Sequence, residues 1–98
     1  MTLREFQDVI HKTYQNKDSA RGLDATFMYF VEEVGELATS LREETLAEQE
    51  GEFADVLAWL LTLANLKGID LQKAFEEKYA KGCSKCRKTP CVCVGDKP

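Results

Sequence analysis

Five carboxylates in two short clusters are the residues of this chain best suited to chemistry. Glu32, Glu33 and Glu36 lie in Val31-Glu32-Glu33-Val34-Gly35-Glu36-Leu37, and Glu52 and Asp55 lie in Glu52-Phe53-Ala54-Asp55-Val56. At helical spacing Glu33 and Glu36 (i, i+3) share one face with Glu32 beside them, and Glu52 and Asp55 share another. Position i+4 is Glu36 from Glu32, Leu37 from Glu33 and Val56 from Glu52, so neither cluster carries an intrahelical counter-ion. Carboxylates set among apolar residues are costly unless positive charge meets them. Two such helices packed antiparallel would bring four or five acids into one small volume. A hard divalent cation held by oxygen ligands, Mg²⁺ or Mn²⁺, would resolve their repulsion.

The elements that must position these acids are helical from end to end. Thr2-Leu3-Arg4-Glu5 is a capping-box pattern, and Leu3, Phe6, Ile10 and Tyr14 form the apolar stripe of a first helix to about residue 15. The polar stretch from Gln15 to Leu23 reads as a loop. Asp24 is placed to cap a second helix reaching about Glu44, with Phe27, Phe30, Val31, Val34, Leu37, Ala38 and Leu41 inward. A third helix runs from about Leu46 to Lys67, stopped by Gly68, and Asp70 caps a fourth from Leu71 to about Lys81, ended by Gly82. The third is apolar around nearly its whole circumference, which predicts burial on all sides. Ninety-eight residues supply too few partners for that, so a second subunit is expected to complete the bundle as a homodimer or homotetramer. The expected organisation is one all-α domain over residues 1–82 and a Cys-rich tail over 83–98.

The net charge is −4, and the five clustered acids are among 17; without them the balance would turn to +1. The acidity is thus concentrated at the candidate metal site. The chain has no basic stripe for a nucleic-acid duplex, no apolar run of membrane length and nothing like an export signal, so a cytoplasmic protein is expected. A nucleotide remains admissible, because its phosphates would arrive with Mg²⁺.

Glu-Glu-x-x-Glu at 32 to 36, fifteen intervening residues, then Glu-x-x-Asp at 52 to 55 resembles the MazG-type nucleoside triphosphate pyrophosphohydrolases of the all-α NTP pyrophosphatase superfamily. Asp55-Val56-Leu57, Leu63-Ala64 and Gly68-Ile69-Asp70 extend the similarity over roughly residues 24 to 82. The resemblance implies a four-helix MazG-like bundle that hydrolyses an NTP or dNTP to the monophosphate and pyrophosphate with Mg²⁺. It implies Glu33, Glu36, Glu52 and Asp55 as metal ligands and Glu32 as a partial ligand or water-orienting base. Lys78 and Lys81 resemble its C-terminal basic positions, although the Arg that often follows is first available at Arg87. Asn65, Trp59, Phe27 and Tyr29 are candidates to contact the base, against a core role for the aromatics. Glu43, Glu44, Glu48 and Glu50 read as solvated, with Glu48 a candidate outer-sphere contributor.

All four cysteines fall in Cys83-Ser84-Lys85-Cys86-Arg87-Lys88-Thr89-Pro90-Cys91-Val92-Cys93. Four thiols in eleven residues suit a structural Zn²⁺ knuckle, with Pro90 helping to set its second turn. Two disulfides or a reduced, unstructured tail are the competing readings. Such a knuckle would pin the tail and Lys81 against the acids. His11 is the only histidine, and no Glu-x-x-His occurs, which excludes a ferritin-like di-iron bundle. Two other functions stay open: a non-enzymatic helical interaction module, and a related hydrolase acting on phosphoribosyl-ATP.

Overall fold

The computed structural model describes residues 1–95 as four helices followed by a cysteine-rich knuckle, with no strand among them. The first helix, α1 (Leu3–Arg21), opens on the expected capping box: the Thr2 hydroxyl accepts from the Glu5 amide at 3.1 Å, and the Glu5 carboxylate accepts from the Thr2 amide at 3.0 Å. It continues well past residue 15, so the expected loop from Gln15 to Leu23 does not exist. Lys17, Ala20 and Arg21 are good helix formers, and Asp18 pairs with Arg21 one turn later. Only Gly22, at φ +84°, interrupts the chain before α2 (Leu23–Glu43) begins. Gly22 is also the N-cap, so Asp24 does not cap α2; it lies in the first turn, where the helix dipole favours an acid.

A two-residue turn, Glu44 and Thr45, leads into α3 (Leu46–Lys67), which has its own capping box between Thr45 and Glu48. Gly68 ends it in the left-handed conformation, φ +67°, as expected. Asp70 caps α4 (Leu71–Tyr79) by accepting from the Lys73 amide at 3.2 Å. This last helix stops two residues short of Lys81.

The buried faces are more polar than periodicity predicts. On α1 the inward residue is Gln7 rather than Phe6, which is about half exposed. Gln7 clasps three elements: its amide nitrogen donates to Asn65 Oδ1 (3.0 Å) and the Ile69 carbonyl (2.7 Å), and its oxygen accepts from the Leu71 amide (3.0 Å). Arg4 adds an ion pair to Asp70 at 2.9 Å. These bonds fix α4 against the start of α1.

On α2 the face turned to α3 passes through Thr26, Phe30, Glu33, Leu37 and Ser40, alternating three and four residues apart. Thr26 and Ser40 are fully buried. The matching stripe on α3 is Gln49, Glu52, Val56, Trp59, Leu63 and Leu66. Glu33 and Glu52 are therefore members of a coiled-coil-like seam, and the helices run antiparallel: Tyr29 stacks on Trp59 at 5.3 Å while Glu36 meets Glu52 further along.

Phe27, Val31, Val34 and Leu41, expected inward, are 41–52 % exposed in the single chain. Phe53, Leu57 and Leu60 on α3 are also exposed, and the buried apolar residues are Leu61 and Ala64. The radius of gyration, 15.8 Å, exceeds the roughly 13 Å of a compact chain of this length. The accessible surface, 7308 Å², likewise exceeds the roughly 5,700 Å² such a chain would show.

Candidate metal centre

Glu33 enters the seam from α2 and Glu52 enters it from α3, with Glu36 one turn beyond Glu33 toward the helix end. One carboxylate oxygen from each of the three lies within 4.8 Å of the others. Glu33 Oε2 and Glu52 Oε2 are buried and have no hydrogen-bond partner. The ion pairs of the described residues are Arg4–Asp70, Lys12–Asp8, Arg21–Asp18 and Lys73–Glu77, and none of them reaches the cluster.

The electrostatic consequence is direct. The Glu33 carboxyl is raised above its ordinary range first by burial, then by the charges of Glu36, Asp55 and Glu52. Glu52 is raised by burial and then by Glu36, Asp55 and Glu44. Two buried, unpartnered carboxylate oxygens that face further acids are a destabilising arrangement for a bare protein. They are a fitting one for a hard cation, which takes oxygen ligands and would oppose these upward shifts.

The remaining acids surround this point. Glu32 and Glu36 line an open cleft of about 540 Å³ with Gly35, Thr39, Glu43, Glu44 and Glu52. Glu43 and Glu44 thus belong to the cleft wall. Glu48 does not; its carboxylate accepts from the Thr45 amide and hydroxyl, contacts that lower its pKa. Asp55 stands one turn from Glu52 and outside the close trio, its charge felt by both partly buried glutamates. It also lines a neighbouring cavity of about 300 Å³ with Tyr14, Lys17, Asp18, Arg21 and Trp59.

That second cavity escapes sequence reasoning, because its cations lie in the segment read as a loop. The available signal is periodic: Asp18 and Arg21 extend the inward register of Gln7, Ile10 and Tyr14. Asp18, 5 % exposed, pairs with Arg21, whose Nε donates to Thr26 Oγ1 at 2.9 Å. The Arg21 guanidinium also lies over the Trp59 ring at 4.8 Å. Lys17 has no such engagement among these contacts and brings positive charge beside Asp55.

The expected substrate residues lie elsewhere in the single chain. The Asn65 amide is held by Gln7 through bonds of 3.0 and 3.2 Å, so it ties α3 to α1. Lys78 lies over the Tyr79 ring at 5.6 Å. Lys81 lines a cavity with Glu76, Glu77, Ala80 and Arg87. The knuckle holds the end of α4 and does not bring Lys81 into the acidic cleft.

An antiparallel hairpin of an E-E-x-x-E helix and an E-x-x-D helix thus brings Glu33, Glu36 and Glu52 together. The family model for the MazG nucleotide pyrophosphohydrolase domain matches residues 21–89, from the end of α1 into the knuckle, and the chain belongs to that family. No curated protein matches it.

Proposed function

We propose that this protein hydrolyses a nucleoside triphosphate, NTP or dNTP, to the monophosphate and pyrophosphate, using Mg²⁺ (or Mn²⁺) held by Glu33, Glu36, Glu52 and Asp55. The observation that carries this reading is that Glu33 and Glu52, each with a buried, unpartnered oxygen, come together with Glu36 within 4.8 Å in a chain of this family. When bound, the ion supplies charge neutralisation on the phosphates and a more acidic water.

The side chains divide the remaining work. A water oxygen attacks the α-phosphorus, the bond from that phosphorus to the α–β bridging oxygen breaks, and the bridging oxygen leaves with pyrophosphate. Glu32 lines the cleft without belonging to the close trio, which suits it to orient the water and take its proton. Lys17, in the cavity shared with Asp55 and Trp59, is placed to neutralise substrate phosphate, with the Trp59 ring as a wall for the base. Arg21 holds that ring in place through Asp18 and Thr26. Lys78 and Lys81 would serve phosphate only from a partner subunit.

A homodimer, or a tetramer built from it, fits the half-exposed apolar faces of α2 and α3. The surface in excess of a compact chain, about 1,600 Å², is enough to supply one chain's share of a large obligate interface. A cytoplasmic, nucleotide-clearing role is the corresponding biological reading; no described helix is long and apolar enough to cross a membrane.

The test is pyrophosphate release from a panel of NTPs and dNTPs with Mg²⁺, comparing wild type with Glu36→Gln. Release from at least one nucleotide that is lost in the variant is expected. No release from any of them by a folded wild type would overturn the assignment and direct attention to phosphoribosyl-ATP and then to a binding role.

A further inference from the structure

The second cluster of ligand-type side chains lies outside the acidic cleft. We propose that Cys83, Cys86, Cys91 and Cys93 hold a single structural Zn²⁺, and that this ion builds the C-terminal cap of α4. The geometry carries the first part. All four Sγ atoms lie within 4.8 Å of one another, with Cys83 to Cys93 at 3.8 Å and Cys86 to Cys91 at 4.0 Å. A regular tetrahedron with Zn–S bonds of about 2.3 Å has edges of about 3.8 Å. Two of the six edges are thus close to what such an ion requires and the other four lie within 4.8 Å, and closed four-thiolate ligation leaves no position for a reacting water.

The surrounding chain supports the anionic form of the ligands. The Lys85 amide donates to Cys83 Sγ at 3.4 Å and the Cys93 amide to Cys91 Sγ at 3.3 Å, one backbone donor in each half of the site. Such outer contacts orient ligands and disperse their charge. Lys81, Lys85, Arg87 and Lys88 bring positive charge to a centre that would carry −2. Gly82, at φ +103°, admits the close turn: a Cβ there would stand 2.6 Å from the Lys88 carbonyl oxygen and against the Thr89 hydroxyl.

The second part follows from where the knuckle's polar groups go. A helix end leaves its last carbonyls unpaired, and α4 has nine residues, too few to stand on propensity alone. Arg87, between the second and third cysteines, donates from Nη1 to the Glu77 carbonyl at 3.2 Å and lies 3.5 Å from that of Lys78. The Gly82 amide donates to the Tyr79 carbonyl at 2.9 Å, and the Thr89 hydroxyl lies 3.5 Å from the Lys81 carbonyl. Closing the knuckle on a metal holds Arg87 and Thr89 at the helix end.

The experiment uses the full chain, purified under reducing conditions without chelator, and none of its readouts is activity. Elemental analysis is expected to give one zinc per chain after exhaustive dialysis against metal-free buffer without chelator, which removes weakly held Mg²⁺. Replacement by Co²⁺ is expected to give tetrahedral ligand-field bands together with thiolate-to-cobalt charge-transfer absorption, and the latter a carboxylate site cannot produce. Cys91→Ser/Cys93→Ser should lose the zinc; should that variant not fold, the wild-type cobalt spectrum decides. Arg87→Ala should keep the zinc while amide hydrogen exchange at the end of α4 accelerates at least about tenfold. Two disulfides by intact mass, iron in place of zinc, or four free thiols with no bound metal would overturn the site. Unchanged exchange in Arg87→Ala would overturn the cap.

Discussion

Replacing Glu33 by Gln keeps the shape of the seam and removes one buried negative charge, so it separates a metal site from a merely acidic surface. In the metal-free protein the Glu33 carboxylate stands within 4.8 Å of oxygens from Glu36 and Glu52. At that distance two unit charges repel by about 0.9 kcal/mol in water and about 3.5 kcal/mol at an effective dielectric constant of 20. Glu36 and Glu52 line an open cleft, so the lower figure is the better guide to each pair, and relief of the repulsion with both stabilises the metal-free variant by about 1–2 kcal/mol. For a domain of this size that is a rise in Tm of roughly 5–10 °C.

Thermal unfolding at fixed protein concentration, with EDTA and then with Mg²⁺, measures both halves of the claim. Wild type should gain stability with Mg²⁺, by about 1.4 kcal/mol at ten times its Kd, whereas Glu33→Gln should start higher and respond little. The pH dependence has a definite sign. Because the folded-state pKa of Glu33 is raised above the ordinary 4.5, its contribution is fully present below 4.5. That contribution is lost as pH rises through the raised value. The metal-free wild type should therefore lose stability over that window, and Glu33→Gln should lose less. A metal-free variant less stable than wild type, or one with an undiminished Mg²⁺ response, would refute the reasoning.

Three further outcomes are expected. Arg21→Ala strands the buried Asp18 carboxylate and should cost about 3–5 kcal/mol in chemical denaturation; a loss under 1 kcal/mol would show that the pair is not the hinge of the α1–α2 junction. Lys17→Ala should leave Tm unchanged and raise KM for nucleotide about tenfold, an equal KM placing the phosphates elsewhere. Leu57→Glu, on the exposed face of α3, should shift the chain to monomer in light scattering, and a persistent oligomer would move the interface to another face.

The order of the elements, both capping residues of α1 and α4, and the approach of Glu33 and Glu36 to Glu52 were legible in the sequence because they depend on local signals: Thr2 with Glu5, Asp70, Gly68, and carboxylates three residues apart. The length of α1 was not. A polar composition from Gln15 to Arg21 masks a helix whose inner side is made of an ion pair, and period-reading that counts only apolar residues stops at Tyr14. The same bias put Phe6 inward where Gln7 lies, since a glutamine that joins three elements carries no hydrophobic signature. The α2 face illustrates the converse. Phe27, Val31 and Val34 have the pattern of a core yet stand half exposed, because the seam within one chain is filled by Thr26, Glu33 and Ser40. Periodicity reports an apolar face; it does not say what that face packs against. The cavity beside Asp55 was missed for the reason that hid the end of α1, since Lys17 and Arg21 become neighbours of Trp59 only once that helix is complete.

The central claim is that the Glu33–Glu36–Glu52–Asp55 cluster directs water to the α-phosphorus of a nucleotide. Hydrolysis of the best nucleotide in ¹⁸O-enriched water with Mg²⁺, with both products examined by mass spectrometry, tests it most directly. One labelled oxygen in the monophosphate and none in the pyrophosphate is predicted, with no turnover in EDTA or in Glu36→Gln. Label in the pyrophosphate, release of orthophosphate, or turnover that survives loss of the metal would contradict it.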